Sequence, residues 1–123
     1  MSTPPQPRRL EVDTVGRVTV VSFRDERIVD DLVIQEVGDQ LVGLVEDHGH
    51  RNLLLNFGGV RALSSAALGT LFSLRKKVAS NRGKLKFCCV HPELMEVFAL
   101  HQAKGPGAPF EFYPEEKKAL DSF

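Results

Sequence analysis

Two adjacent hydroxyls, Ser64 and Ser65, sit in the run Val60-Arg61-Ala62-Leu63-Ser64-Ser65-Ala66-Ala67-Leu68-Gly69. They are the side chains whose setting most suggests chemistry. Ahead of them, Asn52-Leu-Leu-Leu-Asn-Phe57 is apolar and bounded by Asn and by Gly58-Gly59, the pattern of a buried strand. Behind them, Ala67, Leu71, Leu74 and Val78 recur near helical spacing. The hydroxyls therefore fall where a strand has ended and a helix begins. The first amides of a helix lack intrahelical acceptors, and its dipole favours negative charge there. A serine at that point can cap the helix, or it can carry a phosphate on ready-made donors. Ser64, directly before an alanine-rich start, fits the cap better, and one of the two serines is expected to fill that role.

The other reactive residue types point to less. Ser65 as a nucleophile would need a histidine base and an orienting acid, and residues 62–67 contain no glycine for a Gly-x-Ser-x-Gly elbow. The chain also lacks a P-loop and a dinucleotide fingerprint, so neither catalysis nor a cofactor is expected. His48 and His50 lie at a helix end with no cysteine nearby, and His91 and His101 are on another segment, which argues against a metal. Arg75-Lys76-Lys77 point in different directions around their helix and read as a solvated face. Cys88 and Cys89 are neighbours in a strand-like run, where side chains alternate. One is expected in the core and one on the opposite face, both reduced.

Composition narrows the class. The 123 residues suit one domain, with 42% hydrophobic and 26% charged content in the ordinary range for a folded chain. Sixteen basic and sixteen acidic residues cancel, leaving no bulk charge to attract nucleic acid or an anionic membrane. No apolar run approaches the roughly 20 residues that span a bilayer. Residues 1–8 are polar and proline-rich without a signal-like apolar core, and are expected to form a flexible tail ahead of a domain at residues 9–123. A cytoplasmic location is the expectation.

Strand and helix signals alternate along that domain. Residues 9–14 and 17–23 flank a Val15-Gly16 turn and predict a hairpin. A charged connector follows, in which Asp30 or Asp31 can cap a helix over residues 32–48 with Leu32, Val33, Val37, Leu41, Leu44 and Val45 as its apolar stripe. Gly38 and Gly43 weaken that helix, so packing must hold it. The central strand and the serine-turn helix come next, the latter stopping near Asn81-Arg82-Gly83. Residues 84–90 predict a strand. Pro92 opens a helix to about residue 103, with Leu94, Val97, Phe98 and His101 buried. A flexible loop at 104–109, a short strand at 110–113 and a terminal helix from Pro114-Glu115-Glu116 complete the chain. The order predicts an α/β domain with one mixed, mostly parallel sheet.

That order and these motifs resemble the STAS domain family, named for sulphate transporters and anti-sigma factor antagonists. The resemblance rests on Leu53-Leu-Leu-Asn-Phe57, the serine turn with Leu68-Gly69, Gly83-Lys-Leu-Lys-Phe-Cys88, Pro92-Glu-Leu-Met-Glu-Val-Phe98, and the ending from Phe110 to Leu120. It implies four core strands plus the N-terminal hairpin strand, with helices largely on one face. In phosphoregulated members the turn reads Asp-Ser-Ser/Thr-Gly-Leu, and the serine after Asp accepts phosphate. With Leu68 as the leucine, Ser65 takes the phosphoacceptor position, with Ser64 as the alternative acceptor. Ser64 stands where the family has Asp, Ala66 where it has the second hydroxyl, and Ala67 where it has Gly.

The resemblance implies a regulatory binding module rather than an enzyme. Its partners would be an anti-sigma factor or related serine kinase, and a serine phosphatase that resets it. The expected binding face comprises Arg24, Asp25, Glu26 and Arg27 of the connector, with Arg61, Ser64, Ser65, Ala66, Ala67 and Leu68 of the turn. Two other readings fit the same resemblance: a constitutive scaffold that is never phosphorylated, and a ligand-binding sensor or transporter accessory subunit. The sequence does not specify an oligomeric state.

Overall fold

Leu53, Leu54 and Leu55 are all fully buried. Neighbours in a strand point to opposite faces, so this run requires cover on both sides of its sheet. The computed structural model describes residues 9–47, 49–101 and 110–123, and it shows how that cover arises. In chain order the elements are β1 (Leu10–Val15), β2 (Val18–Phe23), β3 (Arg27–Ile28), α1 (Asp31–Glu46), β4 (Asn52–Asn56), β5 (Ala62–Leu63), α2 (Ser65–Ser80), β6 (Lys84–Cys88), α3 (Pro92–Leu100), β7 (Glu111–Tyr113) and α4 (Glu116–Asp121). The main sheet is ordered β1-β2-β4-β6-β7, with β4 in the centre. Only β1 and β2 pair antiparallel; the remaining pairs are parallel.

Alternation along the strands separates two cores. Val21, Phe23, Leu53, Leu55, Leu85 and Phe87 face one side, where α1, α2 and α3 pack. Phe57 and Phe87 organise that side, with ring centroids 5.3 Å apart and Phe98 of α3 edge-on to both. Val18, Val20, Leu54 and Cys88 face the other side, where Ala119 of α4 covers them with Tyr113, Leu120 and Phe123 at the margin. Three helices on one face and a short fourth on the other is the family-like arrangement that the sequence predicts.

The second face also holds a buried cation. Lys86 is 4% exposed. Its ammonium donates to the Ser122 carbonyl at 2.7 Å and meets the Ser122 hydroxyl at 2.8 Å. It also lies 4.8 Å from the Phe123 ring centroid and 5.4 Å from that of Tyr113. A buried charge needs such partners, and here they fasten the end of the chain to the sheet.

Local chemistry accounts for the element ends. Gly16 adopts φ 61, as a two-residue hairpin loop with glycine first requires. Asp30 caps α1, accepting from the Leu32 and Val33 N–H groups at 2.9 and 3.4 Å, and Asp31 begins the helix. Gly38 lets α1 approach α2, because a Cβ there would lie 2.9 Å from the Thr70 methyl. At the end of α2 it is Arg82, not Gly83, that takes the left-handed conformation, with φ 58. Gly83 is needed for a different reason: a Cβ would collide with the Arg51 carbonyl.

Several expectations are corrected. Leu32 is 60% exposed, because the buried stripe of α1 runs through Ile34, Val37, Leu41 and Val45, which leaves Leu32 off that face. His101 is exposed, since α3 ends at Leu100 and buries Leu94 and Phe98. β6 ends at Cys88 rather than continuing to residue 90. The paired β3 and β5 were not expected. The predicted tail at 1–8, His48 and the predicted loop at 104–109 lie outside the described residues.

Candidate functional site

Because β2, β4 and β6 run parallel, the segments leaving them gather at one end of the sheet. These are the charged connector after β2, the glycine turn after β4, and residues 89–91 after β6. In open parallel sheets this is the end where ligands and partners are generally met.

The serine turn is built up from β4. The Asn56 carboxamide oxygen accepts from the Gly58 N–H at 2.8 Å, and the Phe57 carbonyl accepts from the Val60 N–H at 2.9 Å. These two bonds turn the chain toward β5. Val60 is fully buried and anchors the turn. The Glu26 carbonyl then accepts from the Arg61 N–H at 2.7 Å. Arg27 pairs with Ala62 and Ile28 with Leu63 as β3 and β5 run parallel. The connector and the serine turn are thus joined through backbone.

Ser64 lies at the junction, with extended φ −84 and ψ 166, and caps α2 by accepting from the Ala67 N–H at 3.2 Å. The first bond of the helix proper runs from the Leu68 N–H to the Ser64 carbonyl. The N–H groups of Ser65 and Ala66 precede it, at the positive end of a 16-residue helix with no acidic side chain in its first turn. Ser65 and Ala66 are exposed, as are Arg24, Glu26, Arg27 and Arg61.

Three residues expected on the face play other parts. Ala67 and Leu68 are 3% and 1% exposed: they point into the core beneath the turn and set its height rather than offering surface. Asp25 is half-buried and accepts from the Arg9 guanidinium at 3.0 Å. Arg9 also reaches Glu36 at 3.4 Å, and its own N–H donates to the Gln40 side chain at 3.0 Å. The hydrogen bond to Glu36 and the charges of both carboxylates raise the Arg9 pKa. Asp25 therefore fastens the start of β1 to the connector.

Two further apolar residues near the connector are exposed. Val29 follows β3 directly and is 40% exposed, and Leu32, in the first turn of α1, is 60% exposed. They add apolar surface next to charged residues. The available signal was Leu32 itself, which falls out of register with the stripe that Ile34 starts.

Among the described residues, the histidines are dispersed. His50 Nδ1 lies 2.8 Å from the Thr19 hydroxyl, and His91 Nε2 donates to the Gly58 carbonyl at 2.8 Å. Beneath β3 and β5 there is an apolar cavity of about 10 Å³ lined by Phe23, Ile28, Ile34, Val37, Leu63 and Leu71, room for about one water. Such a space does not fit a nucleotide or a lipid. Among the described residues, no helix is long and apolar enough to cross a membrane.

Comparison with known proteins agrees with this architecture. A STAS domain protein from Planctomyces limnophilus, described as an anti-sigma-factor antagonist, is similar in structure at 20% identity and a TM-score of 0.77, with 92% of this chain and 95% of that one covered. A putative anti-sigma factor antagonist from Thermotoga maritima is similar at 13% identity and a TM-score of 0.79, with 92% of each chain covered. The Bacillus cell fate determinant SpoIIAA in its phosphorylated form is similar at 15% identity and a TM-score of 0.67, covering 92% of this chain and 97% of that one. No curated protein matches the sequence. The family model of the STAS domain matches residues 9–119. The chain belongs to the STAS domain family.

Proposed function

We propose that this STAS protein is a non-catalytic, cytoplasmic regulator that binds a protein partner through the serine turn and is switched by phosphorylation of Ser65. One observation carries this reading: Ser64 supplies the cap of α2, which leaves Ser65 exposed in the first turn beside it. A phosphate on Ser65 would not remove the cap. It would add about −1.5 to −2 charges at pH 7, where the helix dipole tolerates them. The fold would persist while the face changed sign locally, which is enough to repel an acidic partner surface. The partner would be an anti-sigma factor or a related serine kinase, with a serine phosphatase reversing the modification. SpoIIAA, similar in fold, is known in phosphorylated and unphosphorylated forms.

The face would comprise Arg24, Glu26, Arg27, Arg61, Ser65 and Ala66, with Val29 and Leu32 as its apolar part. Phosphopeptide analysis of the protein isolated from its own cells tests the modification. Phosphate on Ser65 in a growth-dependent fraction is the expected result. An unmodified turn under every condition, with a partner still bound, would replace the switch with the constitutive scaffold.

A further inference from the structure

Cys88 and Cys89 do not point to opposite faces as adjacent strand residues would. β6 ends at Cys88, and Cys89 takes φ 61, a left-handed conformation that residues with a Cβ seldom adopt. The backbone is held there from both sides. The Cys88 carbonyl accepts from the Phe57 N–H at 3.0 Å, and the Cys89 N–H donates to the Tyr113 carbonyl at 3.1 Å. The reversal brings Cys89 against the cluster that contains Cys88 and Ala119, on the same side of the sheet as Cys88. Cys88 is fully buried, whereas Cys89 is half-buried. A non-glycine residue in this conformation is strained, and such strain collects at sites with a use for it.

We propose that Cys88 and Cys89 form a vicinal dithiol that a peroxide oxidises reversibly to a disulfide, with Cys89 attacked first. The Cys89 sulfur attacks one oxygen of hydrogen peroxide, the O–O bond breaks, and water leaves as Cys89 becomes a sulfenic acid. The Cys88 sulfur then bonds to the Cys89 sulfur. The hydroxyl it displaces leaves as water with the Cys88 proton. Two thiols give up two electrons and two protons, and one peroxide is reduced to two waters.

Exposure divides the roles. Burial above all, with the neighbouring Cys89 adding to it, pushes the Cys88 thiol up, which keeps it protonated and a poor first nucleophile. Cys89 is the thiol that solvent reaches. Adjacent Cα atoms are about 3.8 Å apart, short of the roughly 4.4–6.8 Å of ordinary bridges, so the bond is strained and readily reduced. That suits a switch rather than a staple.

The test treats the full chain with hydrogen peroxide, blocks free thiols with N-ethylmaleimide under denaturing conditions, and weighs the intact protein and its tryptic peptides. The expected product lacks two hydrogens, takes up no maleimide, carries the loss in the single peptide holding Cys88 and Cys89, and reverts with dithiothreitol. C88S should stop at a sulfenic acid on Cys89 that dimedone traps. C89S should leave Cys88 unoxidised and open to maleimide. The wild-type masses decide the matter even if C88S does not fold. A sulfinic acid on Cys89 with Cys88 still reactive, or a bridge only between two chains, would overturn the proposal.

Discussion

The Ser64 N–H donates to the Ile28 carbonyl at 3.2 Å, and the residue that receives this tether from β3 is also the one that caps α2. The position of the serine turn is therefore set from two sides: by the connector through backbone, and by α2 through a side chain. Ser65 comes next and takes part in neither contact. A change at Ser64 should act on stability, and a change at Ser65 on recognition.

The first consequence is thermodynamic. Ser64→Ala removes the cap and should destabilise the domain by about 1 kcal/mol. Ser65→Ala, on an exposed residue, should stay within about 0.5 kcal/mol of wild type. Urea denaturation of both variants checks this. Equal effects would mean that the two serines do not divide the roles in this way.

The sequence and the structure agree where periodicity is long and apolar. The leucine run of β4 and the spacing of Ala67, Leu71, Leu74 and Val78 on α2 were legible because burial on a regular element writes a pattern into the chain. β3 and β5 were not legible, since two-residue strands are too short to carry a period and arise only when the connector meets the turn. Cys89 was missed for a related reason. Alternation holds inside a strand, and nothing local marked Cys88 as its last residue. At the site, Ser64 as cap could be read from residue type alone. The burial of Ala67 was implicit in the helical stripe, whereas that of Leu68, outside the stripe, was not.

Two glycines should respond in opposite directions. Gly83→Ala places a methyl against the Arg51 carbonyl at the start of β6 and should destabilise the protein by about 1–3 kcal/mol. Gly69→Ala, on an exposed helical position where an added Cβ meets no atom within 4 Å, should stabilise it by about 0.5–1 kcal/mol. Thermal melts of the two variants should move to opposite sides of wild type.

Cys88 predicts an alkaline limit. Its pKa is raised in the folded state, mainly by burial, so the native protein keeps a proton that the unfolded chain releases near pH 8.5. The contribution is present in full below that pH and is lost as pH rises toward the folded value. Between pH 8.5 and 10 the loss approaches about 2 kcal/mol. Denaturation of the reduced protein across this range, compared with Cys88→Ala, measures it. The variant should show a shallower decline, and parallel profiles would remove Cys88 as the cause.

Phosphorylation of Ser65 is proposed to switch a protein-binding face. The most direct measurement is calorimetric titration of a partner captured by wild-type protein against wild type, Ser65→Ala and Ser65→Asp, each verified as folded. Ser65→Ala should bind like wild type, because only a hydroxyl is lost. Ser65→Asp should bind at least about tenfold more weakly, or about 1.4 kcal/mol. Equal affinity of wild type and Ser65→Asp would rule out Ser65 as the switch.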